Sequence, residues 1–238
     1  MNKIDFYFLT LFPEVFDSFL NSSLLKKAQE KSLVSFEAIN IRDFATDSNK
    51  TADDAPYGGG EGMLLKADVL YRAWEKARNQ PAKLGQPDIH QNTLTLYLSP
   101  QGEVLSQKKA RGFIDSAAKI ILVCGHYEGI DQRFIDQCVD QEVSIGDYIL
   151  TGGELPALVF TDVMSRLIPG VVGNPQSVAK DSLENGLLKY PQYTRPQVAL
   201  GQEVPQVLLS GNHKEIAQWR QDQRRLQTSH KRADLLNS

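Results

Sequence analysis

Apolar residues along the chain fall into short runs divided by amphipathic stretches. Ile4 to Thr10 alternates apolar and polar positions and predicts a strand, after which Leu11, Phe12 and Pro13 turn the chain into a short helix at about Val15 to Leu20. A helix capped by Ser23 is predicted through Lys31, then an alternating strand from Val34 to Ile41. Arg42 to Ala55 holds too many Asp, Asn and Thr for either period and reads as loop. A helix follows at Ala67 to Arg78, a Pro- and Gly-containing surface loop at Asn79 to Gln91, a buried strand at Leu94 to Leu98, and a helix from its cap Ser106 through Ala118.

The densest segment comes next. An apolar run from Ile120 to Cys124 stops at Gly125, as a buried parallel strand does when it hands over to a loop. A second strand-like run, Val143 to Leu150, ends in Thr151-Gly152-Gly153, and Glu154-Leu155-Pro156 opens a helical pattern through Leu167. Strands alternating with helices predict an α/β fold, a mostly parallel sheet with helices on both faces. Ligands gather at the carboxyl ends of such strands. Glycine pairs there let backbone groups approach a flat heterocycle, although two tight turns explain the same spacing.

Beyond Pro175 the core pattern stops. The pattern predicts an α/β domain at residues 1–172, a polar linker at 173–190 and a small helical domain at 191–238, with a basic helix from Lys214 to about Arg225. Charge follows this division. The net charge is −3, but from Lys180 onward nine Lys and Arg face six Asp and Glu, so that this tail is +3 and the remainder −6.

At 238 residues, 41% hydrophobic and 23% charged, the chain has the composition of a globular protein. No apolar run nears the ~18 residues of a membrane span. The amino terminus lacks a signal-peptide pattern, so a cytoplasmic location and no membrane partner are expected. Cys124 and Cys138 form no Cys-x-x-Cys motif, which argues against zinc. Gly58-x-Gly60-x-Gly62 formally matches a dinucleotide loop, but no apolar strand precedes it.

The segments GHYEGIDQR, SIGDYILTGGELPAL, PYGGGEGM and YLSPQG, with LFPEVF near the start and YTRPQV and VLLSGNHKEIAQWR near the end, resemble the TrmD family of bacterial tRNA (guanine-N1)-methyltransferases. These belong to the SPOUT class, whose sheet carries a deep trefoil knot. The resemblance implies methyl transfer from S-adenosylmethionine to N1 of the tRNA guanine 3′-adjacent to the anticodon, by a homodimer with shared active sites.

It also assigns residues. Leu98, Ser99, Pro100, Gly102, Gly125, Tyr127, Ser144, Ile145, Gly146, Tyr148, Leu150, Gly152, Gly153 and Pro156 match cofactor-pocket positions. Asp181 matches the general base, Arg166 the cation facing the developing charge, and Glu128 a pocket carboxylate, with Mg²⁺ conceivable near Glu128 and Asp181. Read without the family, Asp181 is a helix cap, Arg166 a helix-end charge and Glu128 a solvated loop residue. Asp54, Tyr57 and Gly59 match a loop beside the active site, while Arg195, Lys214, Arg220, Arg224 and Arg225 are basic positions for tRNA phosphates or simply a solvated basic face. His126 stands where some relatives have arginine, and Gln227 to Ser238 departs from the family's pattern.

Overall fold

The computed structural model describes residues 3–85, 92–174 and 181–236. The chain divides into two compact units, Met1–Gly173 and Asn174–Ser238. Part of the sequence-predicted linker, residues 175–180, lies outside the described residues, and 181–189 belong to the second unit.

The first unit is built on five parallel strands, β1 (Ile4–Thr10), β2 (Val34–Asn40), β5 (Thr93–Val104), β6 (Lys119–Cys124) and β7 (Gln141–Ser144). Their order across the sheet is β2-β1-β6-β5-β7. Two short strands pair antiparallel, β3 (Asp53–Asp54), which lies within the Arg42 to Ala55 region read as loop, and β4 (Leu64–Leu65) beyond it. Six helices complete the unit: α1 (Asp17–Leu20), α2 (Ser23–Glu30), α3 (Ala67–Asn79), α4 (Gln107–Ser116), α5 (Gln132–Cys138) and α6 (Glu154–Leu167).

The odd-numbered residues Tyr7, Leu9, Tyr97, Ile121 and Val123 share a core with Leu70 and Trp74 of α3 and Phe134 of α5. Alternation sends Phe6 and Phe8 to the opposite face, where Phe8 stacks on Phe16 at 4.4 Å between ring centroids and α6 meets α2 and α4. The sheet is therefore covered on both sides.

Under that double cover β1 forms over the expected Ile4 to Thr10, and all seven of its residues, polar ones included, are buried. Its one carboxylate is matched internally: Asp5 accepts from the Ser35 hydroxyl and from the Lys83 N–H at 3.0 Å. Lys119 is also fully buried, and its ammonium donates to the carbonyls of Ala77, Arg78 and Gln80 at 2.8–3.0 Å, closing the end of α3.

Two further expectations change. The extended cap of α2 is Ser22 rather than Ser23, and the Ser22 hydroxyl donates back to the Phe19 carbonyl. The run Val143 to Leu150 stays in the sheet only to Ser144. Gly146, at φ +147°, turns the chain away, and the Ser144 hydroxyl holds both the N–H and the carbonyl of Gly146 at 3.1 Å. β5 instead runs on past Leu98, with a register shift against β7 between Leu98 and Glu103.

The second unit contains a two-stranded ribbon, β8 (Val198–Ala199) with β9 (Gln202–Glu203), and the helix α7 (His213–Lys231). α7 runs past the expected end near Arg225. Asn212 caps it by accepting from the N–H groups of Lys214 and Glu215.

Candidate active site

The carboxyl ends of β5, β6 and β7 and the start of α6 meet at one edge of the sheet. Gly153 N–H donates to the Gly125 carbonyl at 2.8 Å, and His126 bridges Gly152 in antiparallel fashion. A Cβ on Gly153 would lie 2.6 Å from Cys124 Cα, so only glycine lets α6 begin directly against the end of β6. The Glu154 carboxylate, buried in the first turn of α6, accepts from the Thr10 hydroxyl at the end of β1.

These loops enclose a cavity of about 380 Å³. Leu98, Ser99 and Pro100 line it from β5; Gly125, Tyr127 and Glu128 from the loop after β6; Ser144, Ile145, Gly146, Tyr148 and Leu150 from the turn after β7; Gly152, Gly153 and Pro156 from the start of α6. Gly102 is not among the lining residues. It sits at the β5–β7 register shift, where a Cβ would lie 2.4 Å from the backbone of Glu142 and Val143.

Tyr97 and His126 line the cavity too, beyond the residues expected there. The Tyr97 phenol packs against Gly125, and burial, followed by the nearby Glu142 charge, pushes its pKa up to about 12. It is a neutral donor at physiological pH. The His126 ring lies edge-on to Phe12 at 5.1 Å, and its Nδ1 accepts the Tyr127 N–H at 3.2 Å. The reading of Leu94 to Leu98 as a buried strand is the one sequence signal that bears on Tyr97.

Among the described residues Glu128 is the only acidic one lining the cavity, and no Lys or Arg lines it. Its approach is set by backbone geometry. Tyr127 has the left-handed φ of +58°, uncommon for a residue with a side chain. The Glu128 N–H donates to the Met63 carbonyl at 3.1 Å, and the Glu128 side chain fills the space a Cβ on Gly62 would need. The PYGGGEGM loop is thereby fastened to the cavity rim.

The remaining expected residues are spread more widely. Asp54 and Tyr57 line a second cavity of about 870 Å³ with Tyr71 and Arg133, whereas Gly59 lines neither. Arg166 is in the last turn of α6, twelve residues from Glu154 and so about 18 Å along the helix from the cavity end. Asp181 belongs to the second unit, where its carboxylate accepts from the Ser182 N–H and pairs with Lys189 at 3.6 Å. In that unit Arg195 and Arg220 share a groove, and Lys214 and Arg225 are exposed. Arg224 turns inward, and its Nε donates to the Leu188 carbonyl.

An open parallel sheet with a glycine-lined cavity at its carboxyl edge defines an α/β protein, with the cavity at the edge where such sheets commonly bind ligands. The family model described as tRNA (Guanine-1)-methyltransferase TrmD matches residues 4–238, and the chain belongs to that family. It is 50% identical over 234 residues to a tRNA (guanine-N(1)-)-methyltransferase of Carboxydothermus hydrogenoformans, covering 98% of this chain and 87% of that protein. Proteins of the same name from Staphylococcus haemolyticus and Staphylococcus aureus strain Newman are each 47% identical, with coverage of 99% and 91%, and of 98% and 90%, respectively.

Proposed function

We propose that this chain transfers a methyl group from S-adenosylmethionine to N1 of the guanine at tRNA position 37, next to the anticodon. The observation that carries the reading is the cavity at the carboxyl edge of the sheet in a chain matched to the family from end to end. S-adenosylmethionine supplies an electrophilic methyl on a sulfonium. The lining suits it: glycine backbones and Leu98, Ile145 and Leu150 offer hydrogen bonds and apolar contact to an adenine, and a wall without Lys or Arg does not repel a cation.

Guanine N1 carries a proton and presents no free lone pair, so a base must remove that proton before the methyl can be accepted. We assign the proton to Asp181. Negative charge then spreads to O6, where Arg166 stabilises it more in the transition state than before. Glu128, which lines the cavity, would face the donor's positive groups. Among the described residues no three His, Cys, Asp or Glu side chains group as metal ligands, and no step is routed through a metal.

The separation of Arg166 from the cavity along α6 supports a shared site. Two copies related by a two-fold axis would each lend Arg166 and Asp181 to the other's pocket, with the trefoil knot at the interface and the enzyme acting in the cytoplasm. A purified mixed dimer, Asp181→Ala in one chain and Gly153→Trp in the other, tests this. Each homodimer is expected to be inactive and the mixed dimer to recover about half the activity, because one site carries both defects and the other neither. A silent mixed dimer would refute the shared site, and an active Asp181→Ala homodimer would refute the base.

A further inference from the structure

The second unit carries a groove that the reaction above leaves unused. It measures about 1140 Å³ and runs between the 190–197 segment and one face of α7. Val204, Leu208 and Ile216 line it with apolar surface. The Arg220 guanidinium lies over the Tyr190 ring, 4.9 Å from its centroid, while the Tyr193 ring is half exposed and Arg195 is exposed. Among the described residues no Asp or Glu lines the groove.

Each feature narrows the ligand. Two cations with no acid in the groove call for an anion, which an apolar peptide segment does not supply. Apolar surface and two tyrosines call for a flat partner, which a bare phosphate does not supply. An unpaired nucleotide supplies both, since its base stacks on aromatic or guanidinium planes while its phosphate meets a cation. Resting on the tRNA reading above, we propose that this groove receives one unpaired tRNA nucleotide other than the guanine that is methylated. Its base stacks on Tyr193 or on the Arg220–Tyr190 pair, and its phosphate is held by Arg195. The groove would thus grip the RNA by a base rather than by backbone charge alone.

The test uses the full-length protein and tRNA transcripts that each lack the base of one unpaired nucleotide, with affinity measured by filter retention at several salt concentrations. Tyr193→Ala is expected to weaken binding of the intact transcript about 5- to 150-fold, the range for loss of one base–aromatic stack. One abasic transcript should weaken binding by the unaltered protein similarly, and combining the two changes should cost little more than either alone. Arg220→Lys keeps the charge but loses the planar stack, so it should also weaken binding while leaving the salt slope unchanged. Additive losses at every abasic position, or wild-type affinity in Arg220→Lys, would overturn the proposal while leaving the methyltransferase reading in place. Failure of the unaltered protein to bind tRNA would overturn both.

Discussion

The Thr10 hydroxyl donates a 2.8 Å hydrogen bond to Oε1 of Glu154, joining the end of β1 to the first turn of α6 across 144 residues of sequence. The same hydroxyl oxygen accepts the Phe12 N–H at 2.9 Å, so one side chain sets both the turn after β1 and the carboxylate beside Gly152. A buried carboxylate at a helix start gains from the helix dipole but still needs its hydrogen bonds.

Thr10→Val removes the donor at nearly constant volume and should cost about 1–3 kcal/mol, the penalty for an unmet buried acceptor. Thr10→Ser, which keeps the hydroxyl, should restore most of it. Urea unfolding of the three proteins measures the difference, and equal midpoints for Val and Thr would show that this bond is idle.

Glycine substitutions should divide by what a Cβ would meet. Gly153→Ala and Gly102→Ala place that atom 2.6 and 2.4 Å from backbone, so calorimetry should show cofactor affinity reduced more than about tenfold, the size of change a displaced backbone commonly causes. Gly112, inside α4 with nothing within 4 Å of its Cβ position, should behave oppositely: Gly112→Ala should raise stability by about 0.4–1 kcal/mol and leave cofactor affinity unchanged.

Both thiols are buried, and burial raises each pKa, for Cys124 well above its ordinary value of 9.0 with the Glu154 charge adding to the rise. The folded protein therefore holds these protons more tightly than the unfolded chain. The associated stability is complete below pH 9 and declines as pH rises from there towards the folded-state pKa. An aromatic disulfide reagent at pH 8 should modify neither cysteine in the native protein and both in urea. Rapid native labelling would contradict this placement.

Legibility in the sequence followed the range of the interactions. The start of α6 at Glu154 and the end of β6 at Cys124 were readable because an apolar run, a glycine and a helical period adjoin one another. The early end of β7 was not, since Ile145 to Leu150 has a strand's composition and only the Gly146 turn removes it from the sheet. The pairing of Thr10 with Glu154 was not legible, because nothing local in a sequence marks a pair of groups this far apart. Arg166 and Asp181 carry no local signature beyond helix-end and capping roles, so family resemblance alone singled them out.

Methylation at N1 blocks the Watson–Crick edge of guanine, so a reverse transcriptase stops one nucleotide before the modified base. The most direct measurement is therefore primer extension and nucleoside analysis of an unmodified tRNA transcript incubated with the protein and methyl-labelled S-adenosylmethionine. The account predicts 1-methylguanosine as the sole labelled nucleoside, with the stop at the guanine following the anticodon and none when that guanine is replaced by adenine. Label in another nucleoside, a stop elsewhere, or no transfer at all would contradict it.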